Sequence, residues 1–269
     1  MLSLPSRADA ALDPGVRSLS HRWRMRVALA ARSKRSSSNK DERRARRQEE
    51  VTSAALAKEE RRARRLQEAT RAALAAFAEA GPGHQRVLFV RHGEAAHNAH
   101  WKEHKSTPDT TLTEKGREQA AALASHPALV QCSLLVVSPL SRAIETAAAI
   151  FGERPACRAC LCPLHSERCD GGAACNTGSS KWTLAERFPY VRAWEGFDEL
   201  DDDWSPTAES DAHERWRTER VPAFLSWLAQ REEHKVVVIG HGAFFHDPRL
   251  AGRMLANCEV AVLPVSIGT

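Results

Sequence analysis

The chain has 269 residues, with 39 Lys and Arg, 34 Asp and Glu and seven Cys. This length allows a large buried core, and no apolar run reaches the roughly 18–20 residues that cross a bilayer, so a soluble protein is predicted. Residues 1–83 hold 19 of the basic and 10 of the acidic residues, which leaves 20 and 24 for residues 84–269. The folded part of the chain is therefore not basic. Seven is an odd number of Cys, which argues against a secreted disulfide framework.

Residues 1–38 have the composition of a basic tail. Residues 1–40 contain nine Lys or Arg, two acids and eight Ser, without apolar periodicity. This composition is typical of transit peptides, and the alternative is a disordered tail. We accordingly expect either a plastid or mitochondrial location or a cytoplasmic one.

Residues 39–82 are predicted to form a long charged helix. They are rich in Arg, Glu and Ala, and the pattern of residues 42–47 recurs at residues 60–65. A helix of this kind is usually solvated, and binding of nucleic acid or another partner through its Arg clusters is the alternative. Gly and Pro at residues 81–83 end the helix, so a folded domain is predicted over residues 83–269.

After this break, strand and helix patterns alternate, which indicates an α/β fold: a three-layer α/β/α sandwich with a mostly parallel mixed sheet. Ser138 and Pro139 are predicted to be the cap and the first residue of a helix. Pro248 should interrupt the last helix, unless Asp247 caps a new one. The predicted strands are 86–91, 133–138, 235–240 and one near 259–265, and the predicted helices are 113–125, 139–150 and 210–230.

Two histidines follow predicted strands directly, His92 after the first and His241 after the third. Open α/β sheets bind ligands at the carboxyl ends of their strands. Arg91 and Arg142 are predicted at the same edge, and two guanidinium groups beside helix amino termini suit a phosphoryl group best. Either imidazole can serve as the nucleophile. The proton donor stays open among Glu94, Glu145, Glu167 and the acids of 198–203.

Four ordered motifs resemble the histidine phosphatase superfamily, which has the phosphoglycerate mutase-like fold. They are Arg-His-Gly-Glu at 91–94 with Asn98, Leu-Thr-x-x-Gly-x-x-Gln-Ala at 112–120, Ser-Pro-Leu-x-Arg-Ala-x-x-Thr at 138–146, and His-Gly at 241–242. The resemblance covers about residues 86–265. It implies a phosphomonoester hydrolase that needs no metal or other cofactor and acts on a small phosphorylated substrate.

The resemblance also implies roles for individual residues. His92 would attack phosphorus and become phosphohistidine, while the phosphoryl oxygens would be held by Arg91, Asn98, Arg142 and His241. The family's acid commonly precedes a Cys-Asp-x-Gly segment, so Glu167, which precedes Cys-Asn-x-Gly at 175–178, is the predicted proton donor, and Glu94 is the fallback. Asn176 in place of Asp, an insertion at 168–174 and Gly240 in place of Ser depart from the family pattern.

Several alternatives stay open. The same pocket would suit a phosphoglycerate mutase, although the long Tyr-Gly-containing insertion of that branch is absent. A weakly catalytic module that binds phosphorylated ligands is the other alternative. Cys157, Cys160, Cys162, Cys169 and Cys175 with His165 are either a zinc site or, more simply, reduced or redox-active thiols. Three further histidines either bind a metal or line the entrance to the substrate site: His97, His100 and His104.

Overall fold

The computed structural model describes residues 43–44, 46–54, 57, 61, 86–169 and 173–262. The chain divides into two compact units, Met1–Ala63 and Arg64–Thr269. The described residues of the first unit are helical. The tail at 1–38, the break at 81–83 and the predicted strand residues beyond Val262 lie outside the described residues. None of the described helices has the length and hydropathy of a membrane span.

The second unit contains one mixed sheet. Within the described residues its strands are β1 Arg86–Arg91, β2 Leu134–Val137, β3 Arg158–Leu161, β4 Lys235–Gly240 and β5 Val260–Val262. The spatial order is β3-β2-β4-β1-β5. All neighbouring strands are parallel except the pair β1 and β5, which is antiparallel. The predicted mostly parallel mixed sheet is therefore confirmed.

Helices connect the strands, as parallel pairs require. Within the described part of the second unit, the α-helices are α1 Ala96–Ala99, α2 Trp101–His104, α3 Glu114–Ala121, α4 Ser141–Phe151, α5 Lys181–Arg187, α6 Val221–Ala229 and α7 Gly242–Phe245. Single turns of 3-10 helix lie at Pro163–His165, Ala174–Asn176, Pro189–Ala193 and Ala212–Glu214, and a π-helical turn at Trp216–Arg220 leads into α6.

Successive strand residues point to opposite faces of the sheet, and both faces are covered. In β1, Leu88 and Val90 pack with α4 residues such as Ile144 in one apolar cluster. Val87 and Phe89 pack with Phe224 of α6 and with α7 in a second cluster. Helices thus lie on both sides of the sheet, which gives the three-layer sandwich and explains why the strands read as unbroken apolar runs.

Three details differ from the sequence-based expectations. Strand β3 was not predicted. The helix expected to begin at Pro139 begins at Ser141, and its preceding residue Leu140 makes no side-chain cap. The predicted 210–230 helix is divided into a 3-10 turn, a π turn and α6. The expected interruption near Pro248 is present, because α7 ends at Phe245 and residues 247–252 form turns rather than a new helix.

Candidate active site

Three neighbouring strand ends bring the predicted site residues together. β2, β4 and β1 are adjacent and parallel, and they are followed by Ser138, His241 and His92. The backbone N–H of His92 donates to Gly240 O at 2.9 Å, which fixes the two turns side by side. The two imidazole rings consequently lie with their centres 5.2 Å apart.

The hydrogen bonds of His92 define its tautomer. Nδ1 lies 2.7 Å from Gly93 O, an atom that can only accept, so Nδ1 carries the proton. Nε2 accepts from Nε of Arg142 at 3.2 Å and keeps its lone pair. Burial, with the charges of Arg142 and Arg91, holds the pKa of His92 well below its usual value. The ring is therefore neutral near pH 7 and basic at Nε2.

Arg142 lies in the first turn of α4 and is fully buried. Besides the bond to His92, Nη1 donates to Cys175 O at 2.8 Å and Nη2 to Asn176 Oδ1 at 3.0 Å. Burial lowers the pKa of Arg142, and the carboxylate of Glu167 is the largest opposing influence. The sheet edge thus holds a desolvated guanidinium fork directly beside the lone pair of His92, a combination suited to a phosphoryl group.

His241 is oriented by Ser138. Nε2 of His241 lies 2.8 Å from Ser138 Oγ. The other ring nitrogen, Nδ1, is buried and has no hydrogen-bond partner among the described residues. Burial and the charge of Arg142 hold the pKa of His241 well below its usual value. A neutral ring with one unpaired nitrogen beside His92 is available to a ligand oxygen.

Two of the motifs contact each other through glycines. A Cβ added at Gly93 would lie 2.4 Å from Gly116 O, and one added at Gly116 would lie 2.0 Å from Glu94 O. The side chain of Gln119 accepts from the backbone N–H of Glu94 at 3.0 Å, and Thr146 Oγ1 accepts from Gly93 N at 3.0 Å. The turn at residues 91–94 is thus held in place by the second and third motifs, and close packing explains the residue types of those motifs.

Arg91 and Asn98 border the same turn. Nη1 of Arg91 donates to Leu255 O at 2.7 Å, and a Cβ added at Gly242 would lie 3.1 Å from its Nε. The amide oxygen of Asn98 accepts from Ala95 N at 3.1 Å and from Asn257 Nδ2 at 3.3 Å. Both predicted phosphate ligands therefore lie beside the two histidine turns.

Asn257 and Asp109 were missed by the sequence analysis. Asn257 Nδ2 also donates to His92 O at 3.0 Å and Gly93 O at 3.1 Å. Asp109 accepts from Ser141 N at 2.7 Å and from Ser141 Oγ at 2.6 Å, so it provides the cap that was assigned to Ser138. Both residues lie in loops, and neither belongs to a motif that could have identified it.

The two candidate acids lie in different surroundings. Glu167 accepts backbone N–H groups from Ala243 at 3.1 Å and Phe244 at 3.0 Å, at the start of α7 directly after His241. Glu94 accepts from Thr113 Oγ1 at 3.1 Å and pairs with Lys115 at 3.6 Å. Glu167 thus lies at the turn that follows His241, and its charge acts on the guanidinium of Arg142, whereas Glu94 is bound to the start of α3.

Two of the three departures from the family pattern, Asn176 and Gly240, have structural explanations. Asn176 bridges two segments, since its Oδ1 accepts from Arg142 and its Nδ2 donates to Arg168 O at 3.0 Å. A Cβ at Gly240 would lie 2.7 Å from Phe245 Cζ and 2.9 Å from His165 Cδ2. A side chain at Gly240 is therefore excluded by a buried imidazole and a buried phenyl ring.

The histidines of 97–104 and the Cys-rich segment do not form a metal centre in the described part of the chain. There, no group of three His, Cys, Asp or Glu side chains could hold an ion. His97 is buried, bonds to Thr110 Oγ1 at 2.6 Å and lies 6.0 Å from His92 between ring centres. Burial and the neighbouring Arg142 lower the pKa of His97 to about 3. None of the seven cysteines is in a disulfide.

Comparison with known proteins agrees with this geometry. The family described as "Histidine phosphatase superfamily (branch 1)" matches residues 87–246. A phosphoglycerate mutase-like protein of Arabidopsis thaliana is 27% identical over 198 residues, which cover 60% of this chain and 72% of the relative. A glucosyl-3-phosphoglycerate phosphatase of Mycolicibacterium vanbaalenii is 41% identical over 70 residues, which cover 26% of this chain and only 30% of the relative.

Solved structures are also similar. The mycobacterial glucosyl-3-phosphoglycerate phosphatase complexed with VO3 matches with a TM-score of 0.42 and 22% identity, over 67% of this chain and 98% of that one. Phosphoserine phosphatase of Entamoeba histolytica in complex with 3-phosphoglyceric acid matches with a TM-score of 0.44 and 21% identity, over 66% and 89% of the two chains.

Proposed function

Because the chain belongs to the histidine phosphatase superfamily, whose members include phosphatases and mutases, we propose that it is a phosphomonoester hydrolase acting through a phosphohistidine at His92. The observation that carries this proposal is the neutral His92 ring, with its Nε2 lone pair beside the guanidinium of Arg142. That arrangement supplies a nucleophile and a phosphate-binding group at one point.

In the first step, Nε2 of His92 attacks phosphorus as the ester P–O bond breaks. The substrate's phosphoryl oxygens replace Nε2 as the partner of Arg142, and the remaining oxygens are bound by Arg91, Asn98 and His241. Charge that develops on these oxygens is stabilised by groups that are already in place, which is the main way such transfers are accelerated.

Glu167 is the proposed source of the proton for the leaving oxygen. One of its contacts with the start of α7 has to open so that the carboxyl group can reach the substrate. In the second step the same carboxylate takes a proton from water, and the hydroxide attacks phosphorus as the P–N bond of phosphohistidine breaks. General acid and base assistance of this kind typically contributes about 10²–10⁴-fold.

A panel of phosphate esters tests the proposal. Release of inorganic phosphate is measured from p-nitrophenyl phosphate, 3-phosphoglycerate and glucosyl-3-phosphoglycerate with the native protein, His92→Ala and the control His234→Ala, an exposed histidine directly before β4. We expect hydrolysis by the native and control proteins and none by His92→Ala. Interconversion of 2- and 3-phosphoglycerate without net phosphate release would identify a mutase instead, and full activity of His92→Ala would refute the mechanism.

A further inference from the structure

Two of the seven cysteines differ from the rest in their accessibility. Cys132 and Cys157 are half-buried, whereas the other five are buried. Cys157 also lines a surface cavity of about 1170 Å³. A small solute in that cavity can therefore reach its thiol. Cys160 and Cys162 line a smaller cavity of about 650 Å³, but each of them is only 3% exposed.

These two residues lie together at the amino edge of the sheet. β2 and β3 are parallel neighbours, with Leu134 opposite Arg158. Cys132 comes two residues before Leu134, and Cys157 comes directly before Arg158. Both side chains pack at the edge of the same apolar cluster. The Cys132 thiol donates to Leu134 O at 3.1 Å, and the two thiols are close enough for each to shift the pKa of the other.

The contact makes the two thiols unequal. The neighbouring Cys132 thiol lowers the pKa of Cys157, and Cys157, followed by burial, raises the pKa of Cys132. A thiolate is the reactive form of cysteine toward oxidants. Cys157 is therefore the more reactive member of the pair, and Cys132 is placed to resolve its oxidised form.

We propose that Cys132 and Cys157 form a disulfide when the protein meets a hydroperoxide. The Cys157 thiolate attacks the terminal peroxide oxygen, the O–O bond breaks, and the released alkoxide or hydroxide takes a proton from water. The sulfur of Cys132 then attacks Sγ of the resulting sulfenic acid, the S–O bond breaks, and the proton of Cys132 leaves with the hydroxide as water. The two thiols together supply the two electrons that reduce the peroxide.

The disulfide would close a loop over residues 132–157, which contains β2 and α4 with Ser138 and Arg142. A cross-link over a loop of this length restricts the unfolded chain, so the oxidised form should melt about 5–10 °C above the reduced form. The pair lies at the amino ends of the strands, and His92 lies at the carboxyl ends. Phosphatase activity should therefore be the same in both forms.

Peptide mapping of the full native chain tests the proposal. The reduced protein is treated with one equivalent of hydrogen peroxide, blocked with an alkylating reagent and digested with trypsin. Cys132 and Cys157 are the only cysteines in the tryptic peptides 118–142 and 143–158, and Cys160 and Cys162 share the separate peptide 159–168. We expect one cross-linked species that joins 118–142 to 143–158, and its loss on addition of dithiothreitol.

Variants provide the control. Cys132→Ser should yield no cross-link and no rise in melting temperature, whereas Cys160→Ala should behave as the native protein does. Linkage of either peptide to 159–168, or oxidation of Cys157 to sulfinic acid without a cross-link in the native protein, would overturn the proposal. Because mapping of the native chain needs no substitution, this result does not depend on how the variants fold.

Discussion

Nε of Arg142 donates a hydrogen bond of 3.2 Å to Nε2 of His92. A guanidinium can only donate, so this contact keeps the proton of the neutral ring on Nδ1 and the lone pair on Nε2. The group proposed to bind the phosphoryl oxygens therefore also holds the proposed nucleophile in its reactive tautomer. When a substrate enters this site, Arg142 exchanges its hydrogen bond to His92 for one to a phosphoryl oxygen. The imidazole ring of His92 does not have to move.

Arg142→Lys should abolish most of the activity although it preserves the charge. A lysine ammonium cannot bond His92, Cys175 O and Asn176 Oδ1 at once, and it cannot present a planar fork to phosphate. We expect kcat/KM to fall by about 10²–10³-fold, the size typical for loss of one preorganised donor. Steady-state kinetics on p-nitrophenyl phosphate measures this. Arg154→Lys, an exposed position, is the matched control, and equal activities of the two variants would contradict the assignment.

Glu167→Gln should reduce turnover in a way that depends on the leaving group. An alkoxide needs a proton far more than p-nitrophenolate does, so kcat/KM, which reports the first step, should fall by about 10²-fold or more for 3-phosphoglycerate and much less for p-nitrophenyl phosphate. Glu94→Gln is the parallel variant, because it is the other candidate acid. If Glu94→Gln showed the leaving-group dependence and Glu167→Gln did not, the proton donor would be Glu94.

Much of the fold and site could be predicted because both are encoded locally. Unbroken apolar runs mark β1, β2 and β4, and each is followed at once by the residue that reaches the site. Strand β3 was missed because Arg158–Leu161 is short and carries no β-branched residue. Asp109 and Asn257 were missed for another reason. Asn257 contacts His92, which lies 165 positions away in the sequence. A contact between residues so far apart cannot be predicted from a local sequence pattern.

The buried imidazole of His165 should make stability depend on pH. Burial lowers its pKa to about 3, from an ordinary value of 6.5. Between these values the unfolded chain binds a proton that the folded chain does not, so the free energy of unfolding falls as the pH falls below about 6.5. At pH 5 this one group lowers the free energy of unfolding by about 2 kcal/mol.

Urea denaturation at pH 7 and pH 5 measures this effect. His165→Gln keeps a donor for Ile239 O, the present partner of Nε2 at 3.1 Å, but has no group that titrates in this range. Between pH 7 and pH 5, the free energy of unfolding should therefore fall by about 2 kcal/mol less in the variant than in the native protein. His100→Gln, an exposed control, should lose as much as the native protein. An equal loss in His165→Gln and the native protein would show that His165 is not buried in its neutral form.

Gly240→Ala should destabilise the protein, although alanine is closer to the family's usual serine. Its methyl group would meet Phe245 and His165 at distances below van der Waals contact. We expect a loss of about 1–3 kcal/mol, the usual cost of overpacking a core. Chemical denaturation of Gly240→Ala, alone and combined with His165→Ala or Phe245→Ala, gives the coupling energy between Gly240 and each neighbour. Coupling energies near zero with both neighbours would refute the steric explanation.

The phosphorylated enzyme provides the most direct test of the central claim, that His92 carries the transferred phosphoryl group. The native protein is mixed with a saturating substrate, quenched in alkali, in which phosphohistidine persists, and its phosphorylated peptides are sequenced by mass spectrometry. We predict a single acid-labile phosphoryl group on His92, lost in His92→Ala and accumulated in Glu167→Gln. Turnover with no phosphorylated His92, or with the phosphoryl group on another residue, would contradict the account.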